Sequence, residues 1–198
     1  MNGQLVALIV ATSFAAGLNV PATVATLGLL SHSGFVALPP SLDVLANWWV
    51  IAASAVLFGI ELVADKIPVF DLFWNALQTF IRVPAGALLA YGATVQLSPG
   101  MQLLATTLGG AIALVAHGGK TAARAAVTPS PEPVSNFLLS AGEDVAAIGI
   151  TWLATSHPYW AAAIAITLIA VILLFVRWVF VALRDLFRRP HGELQVSP

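Results

Sequence analysis

The sequence predicts an all-α integral membrane protein of six transmembrane helices, and three observations predict it. Of the 198 residues, 59% are hydrophobic and only 9% charged, against about 25% charged in a soluble domain. Mean hydropathy is +0.92. Apolar runs of roughly 20 residues, the length a helix needs to cross a bilayer, recur along the whole chain. Every break between them carries proline. Little sequence is left for a soluble domain, so residues 1–189 read as one transmembrane domain and 190–198 as a short cytoplasmic tail.

The first span, near 4–30, follows "MNGQ" with no Lys or Arg ahead of it, a poor signal peptide and hence an expected retained helix. It is interrupted at "AAGLNVPA", residues 15–22, around Gly17 and Asn19. The segment "SHSGFVALPPSLD" leads to a second span near 44–65, which "DKIP" separates from a third near 70–97. After "LSPG" a fourth span, near 101–126, is expected to be interrupted at "AHGGKTAA" around Gly118 and Gly119. "TPSPEP" and "SHP" then set off spans near 134–156 and 159–184. Proline ends a helix because it lacks a backbone N–H and restricts the residue before it.

Three spans followed by three reverse the orientation of the second half. Residues 1–97 and 101–189 would then form the inverted 3+3 repeat of many transporters, with interrupted helices one and four at matching places. Lys66, Lys120, Arg124, Arg177, Arg184, Arg188 and Arg189 fall on one side of this arrangement. Positive charge marks the cytoplasmic side. Both termini are therefore expected to be cytoplasmic. Trp48, Trp49, Trp152 and Trp160 fall at the outer ends of their spans, where indole prefers the interface. Arg82 fits less simply: either the segment before it lies along the inner interface, or Arg82 is buried and paired.

Helical spacing sorts the polar residues into faces. Ser54, Glu61 and Asp65 share one face of span two, beside Lys66. His117, Lys120 and Arg124 share one face of span four, and Asn136, Ser140 and Glu143 one of span five, with Asp144 alongside. Charges inside a bilayer cost several kcal/mol, so these faces should turn inward and pair. Glu143 and Asp144 fall near mid-membrane. Two adjacent carboxylates there are not both ionised without a nearby cation. They read either as proton or cation handlers or as part of a packing network. Asp71 is a further charged position.

Several function classes drop out. A net charge of −1 without basic runs argues against nucleic acid. With no cysteine there is no thiolate chemistry. His117 has no second histidine at metal-ligand spacing, so no metal and no cofactor is expected. No phosphate loop or nucleophile elbow is present, and an enzyme is not expected. A membrane-embedded hydrolase using Glu143 and His117 is the least favoured reading, lacking a nucleophile or metal set.

The stretches "IELVADKIPVFDLFWNALQTFIRVPAGALLA" (60–90) and "HGGKTAARAAVTPSPEPVSNFLLSAGEDVAAI" (117–148) resemble the bacterial membrane family of domain of unknown function 4126. The resemblance puts the family pattern on Glu61, Asp65, Lys66, Pro68, Asp71, Arg82, His117, Lys120, Arg124, Glu143 and Asp144. Asn19 departs from it, since members often carry arginine in the first span. The resemblance implies a compact polytopic protein and supplies no activity.

The residues favour a small transporter or channel, proton- or ion-linked, with a charged intramembrane site near the junction of the two halves. Its partners would be the lipid bilayer, a small ion or solute, and a second copy in a homodimer. The alternative is a non-transporting lipid-binding or scaffold module whose buried charges hold helices together and whose basic tail reads anionic lipid.

Overall fold

The computed structural model describes residues 2–64, 68–127 and 133–188, without the side chains of 64, 68–76, 125–127, 133–137, 183 and 186–188. Among the described residues every regular element is helical. These are α1 Gly3–Leu18, α2 Val20–His32, a 3-10 segment Pro40–Ala46, α3 Trp48–Ala64, α4 Pro68–Ala93, α5 Pro99–Val127, α6 Pro133–Ser156 and α7 Pro158–Arg188. Proline opens each of α4 to α7. At a first helical position its missing N–H costs nothing, since that donor has no partner inside the helix. The prolines that mark the sequence breaks are thus helix starts as well.

Helix α1 lies at the centre, packed by α4, α5, α6 and α7. Ala11, Ala15 and Ala16 are fully buried, and side chains this small let four neighbouring backbones approach. The crossing is tightest at Gly17, where a Cβ would lie 2.5 Å from the Ala113 carbonyl oxygen and 2.6 Å from the Ala116 Cβ. Neither atom can swing away. Gly17→Ala is therefore expected to destabilise the fold by about 1–3 kcal/mol through overpacking, read as a lowered melting temperature in detergent.

The expected first span is in fact two helices that turn back on themselves. Going up α1, Gly3 meets Tyr159 of α7, Leu5 shares a cavity with Gly92 and Leu97, Ser13 donates to the Gly86 carbonyl at 3.2 Å, and Gly17 meets Ala113. So α1 runs parallel to α5 and antiparallel to α4, starting at the end where α4 finishes. Helix α2 returns to that end: Gly28 abuts Leu45 and Ile51, and His32 Nδ1 is 3.0 Å from the Ala46 carbonyl. The two legs, of 16 and 13 residues, are about 24 and 20 Å long, each short of the roughly 30 Å of a hydrocarbon core. They form a re-entrant hairpin with Asn19 at its tip.

Two expectations are corrected by this. The single span over 4–30 and the two termini on one side give way to an N-terminal leg that begins at the end opposite to where α7 finishes. The expected break in helix four is absent, since α5 continues through Gly118 and Gly119 without interruption. No proline falls in that stretch, so no backbone donor is lost. At Gly119 a Cβ would lie 2.7 Å from Ile172, so this glycine serves a close approach of α5 and α7. Matching breaks in the two halves are therefore not present.

Helices α5, over Pro99–Arg124, and α7, over Pro158–Ala182, are each long and apolar enough to cross a membrane. The 3-10 segment with α3 makes a third if that pair, bent by 64°, counts as one span. Only 6% of the α7 window is buried, so most of its apolar surface faces outward, as lipid contact requires. Trp48, Trp49, Trp152 and Trp160 are all exposed, at the end shared by the hairpin's two openings. Cysteine labels on this cysteine-free chain test the chain's course. Asn2→Cys and Ser98→Cys are expected to react from one side of a sealed vesicle and Asp185→Cys from the other. Labelling of Asn2→Cys with Asp185→Cys would restore the single first span.

Candidate functional site

The polar faces of α3, α4, α5 and α6 converge around the hairpin tip. Arg82, fully buried in the middle of α4, has four partners, three of them oxygens. Its Nη2 pairs with Glu61 Oε1 of α3, Nε donates to Gln78 Oε1 at 2.8 Å, and Nη1 donates to the Gly17 carbonyl at 3.3 Å. Lys120 Nζ of α5 lies 3.7 Å from the same Glu61 oxygen and 2.9 Å from Glu143 Oε2 of α6. Arg124 Nη2, one turn further along α5, reaches that Glu143 oxygen at 3.3 Å. The result is a relay of alternating charge, Arg82, Glu61, Lys120, Glu143, Arg124, spanning four helices. Glu61, Arg82 and Lys120 have side chains no more than 1% exposed, whereas Glu143 and Arg124 are 10% and 11% exposed.

His117 extends the relay at the Arg82 end. Its Nε2 is 2.7 Å from Thr79 Oγ1 and its Nδ1 is 3.4 Å from Arg82 Nη1. A guanidinium only donates, so Nδ1 accepts, and the ring proton falls on Nε2, which donates to Thr79.

Asn19 forms the tip. Its backbone departs from helix (φ −153°, ψ 106°), which stops α1 and starts α2. The side-chain oxygen accepts from the Ala22 N–H at 2.8 Å, capping α2, and Nδ2 donates to Asp144 Oδ1 at 2.8 Å. Thr23 Oγ1 donates to the Asn19 carbonyl at 2.8 Å. The dipoles agree with this placement. The positive N-terminal end of α2 faces a carboxylate, and the negative C-terminal end of α1 faces a guanidinium.

Of the residues expected at the site, Glu61, His117, Lys120, Arg124 and Glu143 meet, with Gly17 and Asn19 at the adjoining break. Asp144 is close by but turned to Asn19. Arg82, left open between an interfacial and a buried place, is buried and paired. Ser140 is buried one turn before Asp144. Gly118 and Gly119 lie within α5 and form no break. Asp65 and Lys66 lie outside the described residues, as do the side chains of Asp71 and Asn136. Gln78 and Thr79 were not singled out from sequence. Their spacing of four and three residues from Arg82 was the available signal. Among the described residues no group of three or more His, Asp or Glu could hold a metal ion. The cavity beside Leu5, Ser41 and Gly92 lies at the hairpin's open end, away from the charges.

A fold that is helical throughout the described residues, with two helices long and apolar enough to cross a membrane and a cluster of buried paired charges, is that of an all-α membrane protein. The chain belongs to the family described as Domain of unknown function (DUF4126), whose model matches residues 6–178. Among curated proteins and solved structures, nothing matches the chain.

Proposed function

We propose that this chain is a small membrane transporter or channel, proton- or ion-linked, seated in a bacterial inner membrane with the C-terminal end of α7 cytoplasmic. The carrying observation is the hairpin tip, which brings one half-helix end to Arg82 of the buried charge relay and the other to the neighbouring Asp144. Broken helices expose backbone dipoles at membrane depth only where they are buried in protein or line a path, and they mark ion and substrate sites in transporters. Ionisable residues at such depth are functional by default. Lys120 and Arg124 serve as the anion-facing groups and Glu143 as the proton carrier. Solid-supported-membrane recording on liposomes, with pH jumps followed by ion and metabolite panels, tests this. A current in the native chain that vanishes in a folded Glu143→Gln supports it.

A scaffold or lipid-binding module is the second reading. It is favoured by the pairing of Glu61 and Glu143 with two cations each. Early melting of both Glu143→Gln and Lys120→Ala, with no ion-dependent signal in the native chain, decides for it.

A further inference from the structure

We infer that Glu143 is a tethered anion occupying a site for a small monovalent anion, and that the site opens when a proton neutralises it. The inference rests on the transporter reading and names its substrate class.

Three observations carry it. Lys120 Nζ and Arg124 Nη2 converge on one oxygen of Glu143, Oε2, at 2.9 and 3.3 Å. An ammonium and a guanidinium aimed at a single oxygen are the donors an oxyanion or halide would meet. The second observation is the gradient of burial along the relay. Glu61 is 1% exposed and held by the fully buried Arg82, whereas Glu143 and Arg124 are 10% and 11% exposed. The carboxylate nearest the surface is the one that can exchange. The third is the position of Asp144. It adjoins Glu143 in sequence but is tied to Asn19 at the hairpin tip, so Glu143 can move without releasing that carboxylate.

The exchange balances in charge. A proton adds to the Glu143 carboxylate, forming one O–H bond, and the neutral acid leaves its two cations. The incoming anion takes their N–H donors. The site gains one positive and one negative charge, so the interior never holds an uncompensated ion. A monovalent anion matches the single charge it replaces. A metal cation would face Lys120 and Arg124 and be repelled. Around Glu143, α5 presents Lys120 and Arg124, with Glu61 of α3 beyond Lys120. On α6 itself Asp144 and Ser140 are nearest. The hairpin presents Asn19, and residues 3–31 contain no Asp, Glu, Lys, Arg or His. Of the ionisable groups on the described part of α7, Tyr159 lies at its start, Arg184 and Asp185 near its end, and Arg177, exposed, about two thirds of the way along.

The test is thermal unfolding of the purified full chain, followed by tryptophan fluorescence, in potassium formate, nitrate or chloride with ionic strength held by potassium gluconate. The native chain is expected to be stabilised by the small anions at acid pH and little at alkaline pH. Glu143→Gln is expected to be stabilised at both, with affinity at alkaline pH at least about tenfold above native. Lys120→Met is expected to show no anion effect. Anion stabilisation that is independent of pH in the native chain, or equal in Lys120→Met, overturns the proposal. Should Glu143→Gln fail to fold, the pH contrast of the native chain decides. Binding without anion flux in liposomes would sink the transporter reading alone. Flux without binding to any of these anions would sink this inference alone.

Discussion

Arg82→Met is expected to cost the fold about 3–5 kcal/mol, the loss typical of removing one partner from a buried ion pair. Methionine fills most of the volume, so the effect is one of charge. Four groups lose a donor at once: the Glu61 carboxylate, Gln78 Oε1, the Gly17 carbonyl at the end of α1 and His117 Nδ1. Lys120 stays within 3.7 Å of Glu61, but one ammonium would then serve two carboxylates. For a chain of 198 residues that loss lowers the melting temperature by roughly 6–20 °C. Glu61→Gln combined with Arg82→Met removes both charges and is expected to recover more than half of it, because no carboxylate is left buried against apolar neighbours. A single mutant melting within about 2 °C of native would mean that Glu61 does not depend on Arg82.

Much of the helix inventory was legible because its signals are local. Pro68, Pro99, Pro133 and Pro158 each mark a helix start, and apolar runs give the lengths between them. The break near Asn19 was legible for the same reason, since Gly17 and Pro21 flank it. The direction taken after it was not. A hydropathy window over 4–30 is equally apolar whether the chain continues or turns back, and only contacts to Tyr159 at one leg and Ala46 at the other separate the two. The opposite error occurred at Gly118 and Gly119. Glycine permits a break but does not impose one, and here it lets Ile172 approach.

The site shows the same division. Spacing put His117, Lys120 and Arg124 on one face of α5, and the structure turns that face inward. Spacing along one helix cannot pair residues on different helices, and Asn19 and Asp144 stand 125 positions apart. Arg82 was ambiguous because, apart from Gln78 one turn before it, its partners come from α1, α3 and α5, none of which its own segment reveals. Treating Glu143 and Asp144 as one carboxylate pair also misled. Adjacent helical residues point about 100° apart, so one meets α5 and the other the hairpin tip.

Lys120→Met is expected to abolish proton- or anion-linked flux, by at least about 100-fold, equivalent to about 2.7 kcal/mol. Its ammonium is shared by Glu61 at 3.7 Å and Glu143 at 2.9 Å, which makes it the link between the locked and the exchangeable halves of the relay. Each carboxylate retains an arginine when it is removed, Arg82 for Glu61 and Arg124 for Glu143. The melting temperature should therefore fall less than in Arg82→Met, although the flux falls more. Lys120→Arg separates charge from shape. A guanidinium keeps the positive charge but puts a planar fork where a compact ammonium sat. It is expected to restore the melting temperature and only part of the flux, because two carboxylates on different helices must exchange one small donor. Recovery of stability and flux in parallel would assign Lys120 to packing alone. Native flux in a well-folded Lys120→Met would remove the relay from the pathway altogether.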